Sequence, residues 1–88
     1  MRIILTVVGS LGLCTSAIAG PNCTTEPESK WMTKAQMMDH IKPLGHTVDV
    51  FKKTKGNCYE IYGKTREGKR VEVYFHPITG AVVKVEEL

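Results

Sequence analysis

Little in this chain of 88 residues could build a catalyst. It contains no HExxH helix, no glycine-rich phosphate loop and no EF-hand pattern, so zinc-peptidase, nucleotide and calcium chemistry lack their usual carriers. Cysteine is scarce at three residues and none is spaced as CxxC, which removes the redox-dithiol and zinc-ribbon signatures. Beyond residue 20 the only serine is Ser29, and no glycine elbow surrounds it. Charge of one sign is also modest: 12 basic against nine acidic residues give a formal net charge of +3, well short of a dedicated polyanion binder. Hydrophobic residues make up 42% and charged residues 24%, an ordinary globular balance that excludes wholesale disorder. What remains is one small domain.

The first uncharged stretch has a different purpose. Met1-Arg2 supplies one positive charge, residues 3–19 carry none, and Ala17-Ile18-Ala19 offers the small-x-small pattern that signal peptidase requires. Residues 1–19 are therefore expected to be a cleaved signal peptide. The run is too short and too rich in Gly, Ser and Thr for a stable membrane anchor. Leu11-Gly12-Leu13-Cys14 partly resembles a lipobox, but Leu13 stands where a small residue belongs. The expectation is a periplasmic or secreted protein.

Cleavage would leave residues 20–88, with a formal charge of +2 and two cysteines, Cys23 and Cys58. Two cysteines in a small exported chain read as one disulfide, because so short a domain buries little core and needs a staple. Residues 20–30, with Pro21 and Pro27, read as an irregular arm tied down through Cys23. Residues 31–88 then form the domain.

Thr33 and Gln36 fit a capping box, flanked by Met32 and Met37 as a hydrophobic staple. Met37, Ile41 and Leu44 follow at i, i+4 and i+7, so a helix of about ten residues with one apolar face is expected, ended by Pro43 and Gly45. Beyond Gly45 the period falls to about two. Strands are expected at residues 46–52, 58–62, 70–76 and 81–86, the last an edge strand. In the third, Val71, Val73 and Phe75 share one face, and Arg70, Glu72, Tyr74 and His76 the other. Short connections force antiparallel hairpins. The fold class is α+β: one helix packed on an antiparallel meander of three to four strands, with one disulfide.

Particular segments resemble exported bacterial PepSY-domain proteins. They are Trp31-Met32-Thr33, Gly45-x-x-Val48, Asn57-Cys58-Tyr59-Glu60-Ile61-Tyr62, Glu67-Gly68-Lys69-Arg70-Val71-Glu72-Val73-Tyr74-Phe75 and His76-Pro77-Ile78-Thr79-Gly80. The resemblance spans about residues 31–86. His46 departs from it, standing where an aromatic residue often follows the glycine, and so does Pro43, close to the helix end. The resemblance implies a non-catalytic module, found in metallopeptidase propeptides and as lone exported domains, that restrains or inhibits peptidases outside the cytoplasm. It implies no catalytic residue and no cofactor.

Candidate sites are few. Asp39, Asp49, Glu60 and Glu72 fall on different elements and are expected to face solvent. The basic residues Lys52, Lys53 and Lys55 and the group Arg66, Lys69 and Arg70 occupy turns at opposite ends of the sheet, so no nucleic-acid stripe forms. A copper module is the alternative reading: Met37 and His40 are three apart on one helix face and supply soft and imidazole ligands. The expected partner is a protein, met on the outward face of Arg70, Glu72, Tyr74 and His76, because Tyr and Arg are enriched at interfaces. The last strand could also add to a partner's sheet, although Lys84 and Glu86-Glu87 look like edge protection.

Overall fold

The computed structural model describes residues 20–88, so the expected signal peptide at residues 1–19 lies outside the described residues. The helix α1 spans Lys34–Ile41 and opens on the capping box that the sequence expects: Gln36 N–H donates to Thr33 Oγ1 at 3.1 Å, and Thr33 N–H to Gln36 Oε1 at 2.8 Å. Pro43 then tightens the chain into a 3-10 turn, Lys42–Leu44, which Gly45 ends at φ 88°, a left-handed conformation suited to glycine. The α-helix is therefore shorter than expected. The tighter turn swings Leu44 off the apolar face, leaving it 43% exposed rather than packed beneath Ile41.

Four strands follow, β1 (Val50–Lys53), β2 (Tyr59–Lys64), β3 (Arg70–Phe75) and β4 (Val82–Glu87). They form one antiparallel sheet in the order β1-β2-β3-β4, the expected meander. The first strand begins at Val50 instead of residue 46. Ahead of it the backbone still follows β2, with Thr47 N–H donating to Lys64 C=O at 2.9 Å and Asp49 N–H to Tyr62 C=O at 2.8 Å. The His46 ring leaves its Nδ1 buried, without a hydrogen-bond partner among the described residues.

Alternation along β3 buries Val71, Val73 and Phe75, which meet Ile61 and Tyr59 of β2 and Met37 and Ile41 of α1 in one core. Burying each of these large side chains contributes about 1.5–3 kcal/mol. Trp31, Met32, Val48 and Phe51 pack around the rim. A disulfide joins Cys23 and Cys58, with Cα atoms 5.1 Å apart, and fixes the arm to the start of β2. The arm is held further by Cys23 N–H to Gly56 C=O at 2.8 Å and Asn57 Nδ2 to Thr24 C=O at 3.0 Å. Among the described residues no helix is long and apolar enough to cross a membrane.

Candidate functional site

Two surfaces flank the core. The first is the outer sheet face. Antiparallel register sets Glu60 across from Tyr74, and Tyr62 across from Glu72. Glu60 was expected in solvent and is instead 4% exposed. Its neighbours account for this. Tyr74 and Lys52 stand beside it across the two ladders, and the arm lies over the Tyr74 ring, so close that a Cβ at Gly20 would sit 3.5 Å from Tyr74 Cε2. Burial pushes the Glu60 carboxyl up, and the facing Glu72 carboxyl adds to the shift. The Tyr74 hydroxyl and the Lys52 ammonium, whose Nζ is 3.8 Å from Oε1, partly oppose it. Burial likewise raises Tyr74 far above the usual phenol range, with Glu60 and Glu72 adding to the effect. The Tyr74 hydroxyl donates to Glu72 Oε1 at 3.4 Å.

Of the four residues expected to meet a partner, the fold brings Glu72 and Tyr74 together with Glu60 in this cluster. Arg70 is exposed at the far end of β3. His76 serves its own turn: its Nδ1 accepts from Ile78 N–H at 3.2 Å and Thr79 N–H at 3.3 Å. The convergence of Glu60 and Glu72 was missed because each looks like an isolated polar position in its own strand. No local pattern reveals it, because the groups that cover Glu60 come from β1, β3 and the arm.

The second surface is a groove of about 550 Å³ between the segment entering α1 and the edge strand β1. Its floor is aromatic: Trp31 meets Tyr59 edge-on at 5.5 Å between ring centroids, and Phe51 lies 4.9 Å from Tyr59. Tyr59 is locked there by its hydroxyl, which donates to Met32 C=O at 2.6 Å, and burial raises its pKa. Trp31 Nε1–H donates to Glu26 C=O at 3.1 Å. Lysines form the rim. Lys34 Nζ sits 5.6 Å from the Phe51 centroid, and Lys53 pairs with Glu28 at 2.7 Å, a contact that raises the lysine pKa. Individual residues here carried sequence signals as core or capping positions, but their meeting beside a free strand edge follows only from the fold.

The metal candidates do not assemble. Met37 is fully buried in the core, and His40 Nε2 lies 2.8 Å from Gly80 C=O, where the ring props the turn before β4. Among the described residues no group of three or more His, Cys, Asp or Glu could hold an ion. Neither surface pairs a nucleophile with a base. What they offer is contact area: a concave aromatic floor with cationic edges, and a flat acidic-aromatic face.

Residues 2–86 match the family PepSY_2, described as the peptidase propeptide and YPEB domain. No curated protein and no solved structure matches the chain.

Proposed function

Because the chain belongs to the PepSY propeptide family, we propose that it is a non-catalytic, exported protein-binding module that restrains a peptidase outside the cytoplasm, in the periplasm or the medium. The observation that carries this reading is the groove floored by Trp31, Phe51 and Tyr59 along the open edge of β1. An edge strand recognises an extended segment through main-chain hydrogen bonds, and neighbouring pockets select its side chains. The groove fits an apolar or aromatic side chain of such a segment, and Lys34 favours a carboxylate beside it, Lys53 being already paired with Glu28. Export is supported by the leader-like residues 1–19 and by the Cys23–Cys58 disulfide, a bond characteristic of oxidising compartments.

Trp31 is the sole tryptophan, so its fluorescence reports occupancy of the groove directly. Titration with extracytoplasmic peptidases of the source organism is expected to shift Trp31 emission and slow substrate cleavage together. Lys34→Glu and Phe51→Ala should each weaken both effects about tenfold. Peptidases that neither bind nor slow would sink the reading. Inhibition that survives these changes but falls with Arg70→Ala or Tyr74→Ala would keep the function and move the contact to the outer face.

A further inference from the structure

A strand at the rim of a sheet leaves half of its backbone hydrogen-bonding groups free. On β4 the parity of those groups is fixed, because Leu88 N–H donates to Arg70 C=O at 3.0 Å, and Glu86 and Lys84 stand opposite Glu72 and Tyr74. In an antiparallel ladder the residues two apart from Leu88 face the same way. Lys84 and Glu86 therefore aim their N–H and C=O at β3, and Val85 and Glu87 aim theirs at the open edge. The apolar side chains of this strand are uncovered. Val85, beside the fully buried Val73, is 53% exposed, Val82 is 48% exposed, and Leu88 just beyond is 61% exposed.

Self-pairing of such a strand has few allowed registers. Antiparallel partners align only residues whose backbone groups point alike, so the two-fold axis must pass through a residue and not between two. An axis at Lys84 sets Lys84 against its own copy, and axes at Glu86 or Glu87 do the same with carboxylates. Like charges directly opposite are destabilising. An axis at Val83 falls on the β-bulge, where β4 has one residue more than β3. Only an axis at Val85 is favourable throughout its centre. Val85 then meets Val85 of the second copy through backbone groups that are both free, Lys84 meets Glu86 in both directions, and the pairing ends at the bulge, where Val83 stands opposite Glu87.

We propose that this chain forms a two-fold symmetric dimer by antiparallel pairing of β4 with β4 of a second copy, centred on Val85, giving one eight-stranded sheet. Lys84 and Glu86 now pair only within their own strand, at 3.9 Å with both side chains about half exposed, and exchange partners across the axis. The same charges act as a register filter, repelling self-alignments centred on Lys84, Glu86 or Glu87. The axis stands normal to the sheet, so both α1 helices lie on one side, above an apolar floor that Val85 and its copy continue from Val73. The groove lies at the opposite edge, beside β1, and both copies of it stay open. The dimer and the partner-binding reading thus stand or fall separately.

Sedimentation velocity of the disulfide-intact protein, expressed from the full-length chain, tests this together with amide hydrogen exchange. The wild type is expected to dimerise reversibly. Lys84→Glu and Glu86→Lys should each weaken dimerisation about tenfold or more, and the double variant K84E/E86K should restore it. In the dimer the Val85 amide should become protected with rising concentration, whereas the Lys84 and Glu86 amides, already bonded to β3, should not change. These side chains are exposed, so each variant should keep the wild-type circular dichroism spectrum. A protein that stays monomeric at millimolar concentration overturns the proposal. So does a dimer indifferent to the single charge changes, or one in which the Val85 amide stays unprotected.

Discussion

The tightest backbone contact in the sheet lies at Gly63, and it supports a quantitative expectation. Gly63 sits in β2 where the chain approaching β1 crosses it. A Cβ there would overlap the Thr47 carbonyl oxygen outright and lie 2.7 Å from the Thr47 carbonyl carbon. Both atoms are backbone, so Gly63→Ala must push residues 47–48 away by about 1 Å or more, since real Cβ contacts settle near van der Waals distance. Three hydrogen bonds depend on that approach: Thr47 N–H to Lys64 C=O, Lys64 N–H to Thr47 Oγ1, and Asp49 N–H to Tyr62 C=O. At about 1 kcal/mol each their loss costs about 3 kcal/mol. The lower chain entropy of alanine in the unfolded state returns about 0.5–1 kcal/mol. A net loss of about 2–3 kcal/mol should lower Tm by about 10–20 °C in a domain of this size. Thermal and urea denaturation followed by circular dichroism would measure it. Gly68→Ala is the control: Gly68 has φ 85° but meets nothing within 4 Å, so only backbone strain of about 1–2 kcal/mol applies. A Gly63→Ala protein within about 0.5 kcal/mol of wild type, the scale of an ordinary surface change, would refute the reasoning, as would a larger loss at Gly68.

Other expectations follow from single contacts. Replacing Cys23 and Cys58 by Ala opens a loop with a sequence separation of 35, and urea titration should show a loss of about 3–4 kcal/mol. Tyr59→Phe removes the hydroxyl bonded to Met32 C=O and leaves that carbonyl unpaired, which should lower stability by about 1–2 kcal/mol in the same assay. Glu60→Gln tests the buried carboxyl. Because the folded state holds the Glu60 carboxyl above its unfolded value of 4.5, the protein binds this proton more readily when folded. That contribution to stability is fully present below the unfolded value and lost as pH rises through the folded one. The Gln variant should therefore melt higher than wild type at pH 8, and the difference should vanish by about pH 4.

Much of this fold was legible because local signals agreed with one another. Thr33 and Gln36 fix where α1 starts, and the alternation Val71-Glu72-Val73-Tyr74-Phe75 fixes which face of β3 is buried. Where the structure departs from these expectations, one cause is local and the others are not. Pro43 ends the α-helix as expected, but the 3-10 turn it induces rotates Leu44 out of the core. Residues 46–49 keep partial ladder bonds to β2 without becoming strand, a result of the crossing at Gly63 that no local pattern encodes. Glu60 looked solvent-facing because strand phase says only which face a residue takes, not what covers that face. Cross-strand Tyr74 and the arm held by the disulfide cover it. The groove was hidden for a related reason: Trp31, Phe51 and Tyr59 are distant in sequence and meet only when the meander folds beneath the entry to α1.

The groove beside β1 is proposed to receive an extended segment of a peptidase. Site-specific photo-crosslinking tests it most directly. A benzophenone side chain would be placed at Lys34 or Lys53 on the groove rim and, as a comparison, at Arg70 on the outer face. After irradiation in the native envelope, adducts would be identified by mass spectrometry. An extracytoplasmic peptidase should be joined from positions 34 and 53 and not from 70, with the adduct peptide mapping to an acidic, extended segment of that peptidase. Adducts from position 70 alone, or rim positions that join no peptidase, would contradict it.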